Sequence, residues 1–498
     1  MTFSRRPSWL RGTRRSLVLL ATAATLGIAM AVPAVSQVGA PASIPVASDS
    51  VSGMQAPLAS PIKHVVVLYM ENHTFDNLLG FWCDGHPQRC PDGGMPSSVR
   101  LSDGTVVTPR TSPDVVPNVM HETNDQVHAI NGGAMNGWQL IRGCQAAQRY
   151  RCITGYQPQQ EPNLIQLVQH FAMSDMAFSM QDSPSWFGHM YAVAATTDGF
   201  TGHNPGINNG PGAGWGCDSG KTGTWVSGGR SKRVPSCIPD PSLTGPGGKP
   251  LANGGAMAPT PVPYVPTIMD RLRAAGLSWR IYGAKCATEV KDSRGLELCT
   301  KGNGAYVYST CPTFAECLYG QSSGLVPDSR FITDATSGHL PAFSVITPDD
   351  VANSEHNGFS MTKGDNWVGK LVADVMNGPQ WASTAMFITW DDCGCFYDQV
   401  RPGKNPDGTP QGPRVPLVIV SPYARPGYTD RTPVTFAGIL AYTERNFNLA
   451  PLSANDAAAY PFTKAFNYSQ APLSGVPMVT RPVPKNDHID WAQARQDS

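Results

Sequence analysis

Two pairs of neighbouring polar residues, Glu71-Asn72 and Asp391-Asp392, each follow directly on a short apolar run. Together they offer four oxygen donors, which suit a hard divalent cation such as Ca²⁺ or Mg²⁺; Zn²⁺ more often recruits His or Cys, and Zn²⁺ or Mn²⁺ stay as alternatives. Taken singly, each pair reads better as the cap of a following helix or turn, where Asn and Asp are common. A metal centre therefore requires elements that bring the two pairs to one place.

The elements can be read from the apolar pattern. Residues 64–70 (HVVVLYM) and 385–390 (AMFITW) are continuous apolar runs of strand length, the kind buried on both faces of a parallel sheet. Further strands are expected at 279–282, 343–347 and 415–421. Helices are expected at 162–171, from about 186 or 189 to before Gly199, at 267–275, at 366–377 and at 435–446. This alternation predicts an α/β fold, a mainly parallel sheet with helices on both faces. In such sheets ligands bind just beyond the carboxyl ends of the strands, and both polar pairs stand there. Residues 200–260 break the pattern with Gly, Pro, Asn and Ser around Cys217 and Cys237, and read as a loop-rich, disulfide-stapled cap inserted in a domain spanning 61–450. The stretch 451–498 reads as a tail packed on that domain.

The 498 residues are 41% hydrophobic and 15% charged, enough to bury a large core and too apolar for a disordered chain. Residues 1–36 hold five arginines and no acid, with an apolar run from Leu17 to Val32, and read as a signal peptide. Arg14-Arg15 fits a twin-arginine signal and, equally, an ordinary secretory signal with a chance pair. Residues 37–60 read as a flexible leader. Without the first 36 residues the chain carries 32 basic against 37 acidic groups, so nothing attracts nucleic acid, and no feature calls for an obligate protein partner. Twelve cysteines in a secreted, extracytoplasmic chain predict disulfides, and short loops close most easily, so pairing in order is expected: 83/90, 144/152, 217/237, 286/299, 311/317 and 393/395. The last ring, Cys393-Gly394-Cys395, is small enough to strain a disulfide.

The residues around the polar pairs carry a resemblance. Ile62-Lys-His-Val-Val-Val-Leu-Tyr-Met-Glu-Asn-His-Thr-Phe-Asp76, Trp390-Asp-Asp-Cys-Gly-Cys-Phe-Tyr-Asp398 and Arg414-Val-Pro-Leu-Val-Ile-Val-Ser-Pro-Tyr-Ala-Arg-Pro-Gly427 resemble motifs of the bacterial phosphoesterase family that contains non-specific phospholipases C and acid phosphatases. Asn131-Gly-Gly-Ala-Met-Asn-Gly-Trp138 and Glu355-His356 sit where that family has related residues, so the likeness spreads over about 61–450. It implies an alkaline-phosphatase-like sheet and a covalent phosphoryl-enzyme. In Asp182-Ser-Pro-Ser-Trp-Phe-Gly-His-Met-Tyr191, Ser185 matches the family nucleophile, with Ser183 the fallback, while His121 and His356 match histidines beside the phosphate. One divalent ion held by Glu71, Asn72, Asp391 and Asp392 would activate the serine hydroxyl. The chain departs from its relatives at Cys393, where many have His, at Thr435-Phe-Ala-Gly438, and at Trp186-Phe-Gly-His189, where many have a His-Pro-Asn run.

His128, His189 and His203 read as structural or exposed. Asn131 reads at least as well as a turn residue as a site residue. Trp138, Trp186 and Phe187 suit either an entrance for a lipid or the core. The expected activity is that of a secreted phosphoesterase, a phospholipase C acting on phospholipids with transient contact to a membrane surface. A broad acid phosphatase taking small phosphate esters is the rival, and an inactive binding protein on the same fold is the outside case.

Overall fold

In the computed structural model, residues 56–489 are described, apart from 207–214, 218, 244–259, 284–289, 292–296, 299–308, 320–323 and 350–351. The expected signal peptide, most of the leader, the 286/299 cysteine pair and the last nine residues lie outside this range.

The apolar run at 64–70 forms β1 (His64–Met70). The other strands of the main sheet and of the cap are β2 (Ala172–Ser174), β3 (Phe200–Gly206), β4 (Thr222–Ser227), β5 (Arg230–Pro235), β6 (Trp279–Gly283), β7 (Leu325–Pro327), β8 (Phe343–Ile346), β9 (Thr384–Trp390), β10 (Leu417–Val420) and β11 (Thr429–Asp430). The helices that matter here are α1 (Phe75–Asp84), α2 (Thr123–Ile130), α3 (Pro162–His170), α4 (Ser185–Ala194), α5 (Ile268–Ala274), α6 (Ser329–Ser337), α7 (Met361–Met376) and α8 (Ala437–Phe447).

Eight strands make one sheet in the order β7-β6-β8-β1-β9-β10-β2-β11. Its centre is the expected one: β6, β7, β8, β1 and β9 run parallel and bury Val, Ile, Leu and Phe on both faces. Helices α3, α6 and α7 pack together, as do α4, α5 and α8, giving a helical layer on each face. The alternation rule fails at β10, which runs antiparallel to β9 and β2. The reason lies in residues 391–416: this connection holds no crossover helix, so the chain returns directly along β9 instead of recrossing the sheet.

Helix α7 starts at Met361, five residues before the expected 366, because Ser360 caps it and accepts from the Lys363 amide at 3.3 Å. The cap is less loop-like than its composition predicts. Strands β3, β4 and β5 form an antiparallel sheet, and Cys217–Cys237 staples the segment beyond β3. Cys83–Cys90, Cys144–Cys152 and Cys311–Cys317 are bonded in order as well. Cys393 and Cys395 are not; both are buried thiols with sulfurs 3.3 Å apart.

Trp138, Trp186 and Phe187 are fully buried, so they belong to the core and do not line an entrance. The chain beyond 450 runs along α3 and α7, where the Val479 amide donates to Asn163 and Arg481 approaches Asp365 at 3.6 Å.

Candidate active site

Strands β1 and β9 pair in register from His64↔Thr384 to Met70↔Trp390, and the Asp391 amide donates to the Met70 carbonyl at 3.0 Å. The two polar pairs therefore leave the sheet side by side at its centre. Helix α4 comes down on them because Gly188 has no side chain: a Cβ there would stand 2.9 Å from the Asp391 carbonyl oxygen. The Tyr69 hydroxyl donates to the Gly188 carbonyl at 2.8 Å and holds this approach. Pro184 stands in extended conformation at the N-cap and so places Ser185 at the first helical position.

The Ser185 Oγ donates towards Glu71 Oε2 and Asp392 Oδ2, each at 3.3 Å, and the Asn72 amide nitrogen donates to it at 3.1 Å. That amide also reaches both Asp391 oxygens, at 3.2 and 3.4 Å. Glu71, Asn72, Asp391 and Asp392 are wholly inaccessible and Ser185 is 2% exposed. Burial, then the neighbouring Asp392 charge, pushes the Asp391 carboxyl well above the usual carboxylate range, and burial raises Asp392 too.

A divalent cation fits this group. It would replace lost hydration and relieve the repulsion between adjacent buried carboxylates. The Asn72 Oδ1, buried, has no hydrogen-bond partner. Turning the amide over aims that oxygen at the carboxylates and Ser185, where a cation would bind it.

One member of the cluster was read from the sequence as merely structural. His189, one turn beyond Ser185 on α4, places Nε2 2.8 Å from Glu71 Oε1 and 3.7 Å from Asp391 Oδ2. Glu71, His189 and Asp391 offer ligand atoms all within 4.8 Å of one another. Burial pushes the imidazole down to about 3, so it is neutral. The overlooked signal was the four-residue spacing of Ser185 and His189, which puts both on one helix face.

His121 and His356 lie together, ring centroids 5.3 Å apart, and both are half-buried. Each Nδ1 donates to a backbone carbonyl, Val119 and Asn357 respectively, both at 3.0 Å, which fixes Nε2 as the acceptor in the neutral ring. Burial and the His121 charge push His356 down to about 3. The pair reaches the carboxylates through Asn357, whose amide donates to the Gly394 carbonyl at 3.2 Å while the Gly394 amide donates to Asp392 at 2.7 Å. Gly394 is at φ +51, and a Cβ on it would lie 2.2 Å from the Asn72 carbonyl oxygen. His128 is exposed, His203 pairs with Glu122 on the surface, and Asn131 ends α2 in a left-handed turn, so these three lie outside the cluster.

One buried guanidinium ties the motifs together. Arg414 donates to Asp76 at 2.7 Å and to Asp398 at 3.1 and 3.2 Å, and lies over the Phe75 ring at 4.2 Å.

Comparison with known proteins gives a match of residues 62–450 to the family model described as Phosphoesterase family. Non-specific phospholipase C6 of Arabidopsis thaliana is 24% identical, over 84% of this chain and 75% of its own length. Phospholipase C A of Mycobacterium tuberculosis is 24% identical, over 85% and 80%. Among solved structures, a protein in the alkaline phosphatase superfamily from Vibrio parahaemolyticus aligns with 82% of this chain and 71% of its own, at 11% identity and a TM-score of 0.34.

Proposed function

The chain belongs to the Phosphoesterase family and is a hydrolase of phosphoric ester bonds, and from that premise we propose a secreted phospholipase C that works through a phosphoserine on Ser185. The observation that carries this reading is the Ser185 hydroxyl, held within 3.3 Å of Glu71, Asn72 and Asp392 at the start of α4.

Glu71, Asn72, Asp391 and Asp392 would hold a divalent cation, which would supply Lewis-acid stabilisation of negative charge developing beside Ser185. The protein's own residues do the rest. Ser185 Oγ, its proton passed to an acceptor carboxylate 3.3 Å away, attacks phosphorus and forms the P–O bond while the ester bond to diacylglycerol breaks. A proton carried on His121 Nε2 passes to the leaving alkoxide, with His356 packed beside that ring. Water, losing a proton to His121, then cleaves the phosphoserine and releases the phosphorylated headgroup. Curated relatives named as phospholipases C support the diester as substrate.

The test is to compare phosphatidylcholine with a simple aryl phosphate across pH, then quench the reaction during turnover. Diester cleavage with phosphate on the peptide carrying Ser185 is expected. Turnover of the aryl phosphate alone would instead identify an acid phosphatase, label on Ser183 would move the nucleophile, and no turnover with metal bound would leave a binding protein.

A further inference from the structure

We propose that His189 is a nitrogen ligand of the metal centre and makes its resident ion a borderline transition metal of the Mn²⁺, Fe²⁺ or Zn²⁺ class instead of Ca²⁺ or Mg²⁺. The inference rests on the metal-centre reading above and changes the metal expected from the four oxygen donors alone.

The first ground is placement. His189 Nε2 lies between carboxylates that leave two different strands, 2.8 Å from Glu71 Oε1 and 3.7 Å from Asp391 Oδ2. An imidazole that only orients Glu71 needs one partner. Ligand bonds of about 2.0–2.2 Å set neighbouring donor atoms about 3 to 3.6 Å apart in octahedral and tetrahedral shells. The spacings between Nε2, the carboxylates, Asn72 and Ser185 run from 2.8 to 3.7 Å and bracket that range.

The second ground is delivery. One helix face carries both Ser185 and His189, and Gly188 lets that face lie on the Asp391 backbone as closely as the two chains permit. The ring is held in orientation by the edge of Tyr69, centroids 5.0 Å apart, and by Trp215 at 6.1 Å. A ring 1% exposed, so enclosed among acids, is built for one direction of approach.

The third ground is chemistry. Imidazole suits Fe²⁺ and Zn²⁺ and is also accepted by Mn²⁺, which binds a mixed nitrogen–oxygen site less tightly than either, while Ca²⁺ and Mg²⁺ take oxygen. A nitrogen in this shell therefore adds affinity for the transition ions and none for the alkaline-earth ions.

The experiment uses the full secreted protein, stripped by chelator and reloaded separately with Mn²⁺, Zn²⁺, Ca²⁺ or Mg²⁺, beside His189→Gln. Equilibrium dialysis should show the wild type holding Mn²⁺ and Zn²⁺ at least roughly tenfold more tightly than His189→Gln, with matching Ca²⁺ and Mg²⁺ affinities. Pulsed electron paramagnetic resonance of the Mn²⁺-loaded wild type should show coupling to an imidazole nitrogen that disappears in His189→Gln. Circular dichroism reports whether the variant folds; if it does not, the wild-type resonance decides, and a spectrum without nitrogen coupling overturns the proposal. Equal Mn²⁺ and Zn²⁺ affinities in the two proteins, coupling that survives the substitution, or a wild type that prefers Ca²⁺ also overturns it and leaves the metal centre standing. Failure of the wild type to bind any of the four ions removes the metal-centre reading itself, and this assignment with it.

Discussion

Asp391 touches everything in the cluster: its amide bonds β1, its carboxylate accepts from Asn72, and its carbonyl meets Gly188. Asp391→Ala should therefore lower bound metal to well below one equivalent by mass-spectrometric metal analysis, and exhaustive chelation should abolish turnover by the wild type. Gly188→Ala tests the approach of α4 alone. The added methyl must move the helix away from Asp391, and small misplacements of a nucleophile are costly, so kcat should fall on the order of 10- to 100-fold. Steady-state kinetics with a melting curve checks this; unchanged kcat in a folded variant would mean the contact has no bearing on Ser185. The oxygen pairs were legible because each ends an apolar run in strands that happen to be neighbours. His121 and His356 were legible only through resemblance, since a lone histidine has no pattern. His189 was missed because its meaning depends on which face of α4 meets the end of β9, and that is decided by Gly188 on the helix, which lies against Asp391 and Tyr69.

Arg414 links α1, the 391–398 turn and β10 through Asp76 and Asp398, all three side chains fully buried. Arg414→Ala strands two carboxylates away from water, and losing one partner of a buried ionic network costs about 3–5 kcal/mol. Denaturant unfolding should show a loss of that size; one below about 1 kcal/mol would mean that water replaces the guanidinium. Elements with continuous apolar runs, such as β1 and β9, could be read directly. The direction of β10 could not, because its residues are equally apolar in either orientation and only the helix-free connection turns it around. Strands β4 and β5 escaped for the opposite reason: the buried face of Thr222–Ser227 is only Gly223 and Trp225, and Arg230-Ser231-Lys232-Arg233 is exposed, so neither segment shows an apolar run.

Across the whole molecule, stability should depend on acids that burial keeps protonated. Glu355, which accepts from the Trp390 indole at 3.0 Å, is pushed up to about 8 by burial and by Asp365. A carboxyl near 4.5 in the unfolded chain binds a proton only in the native state between those values, so its stabilising contribution is whole below about 4.5 and is lost as pH rises through about 8. Glu355→Gln keeps an acceptor for the indole and should flatten the decline of melting temperature between pH 5 and 8; an equally steep decline would assign it to other groups. The register of β1 with β9 has a different consequence. The bond from the Asp391 amide to Met70 closes the central ladder of an eight-stranded sheet, so it opens only when that sheet does. Hydrogen exchange at Asp391 should therefore be as slow as at the middle of β1, and both amides should respond alike to denaturant. Partial unfolding that frees only the chain beyond 470 would then leave the chemical centre assembled, and heat should abolish activity together with the sheet.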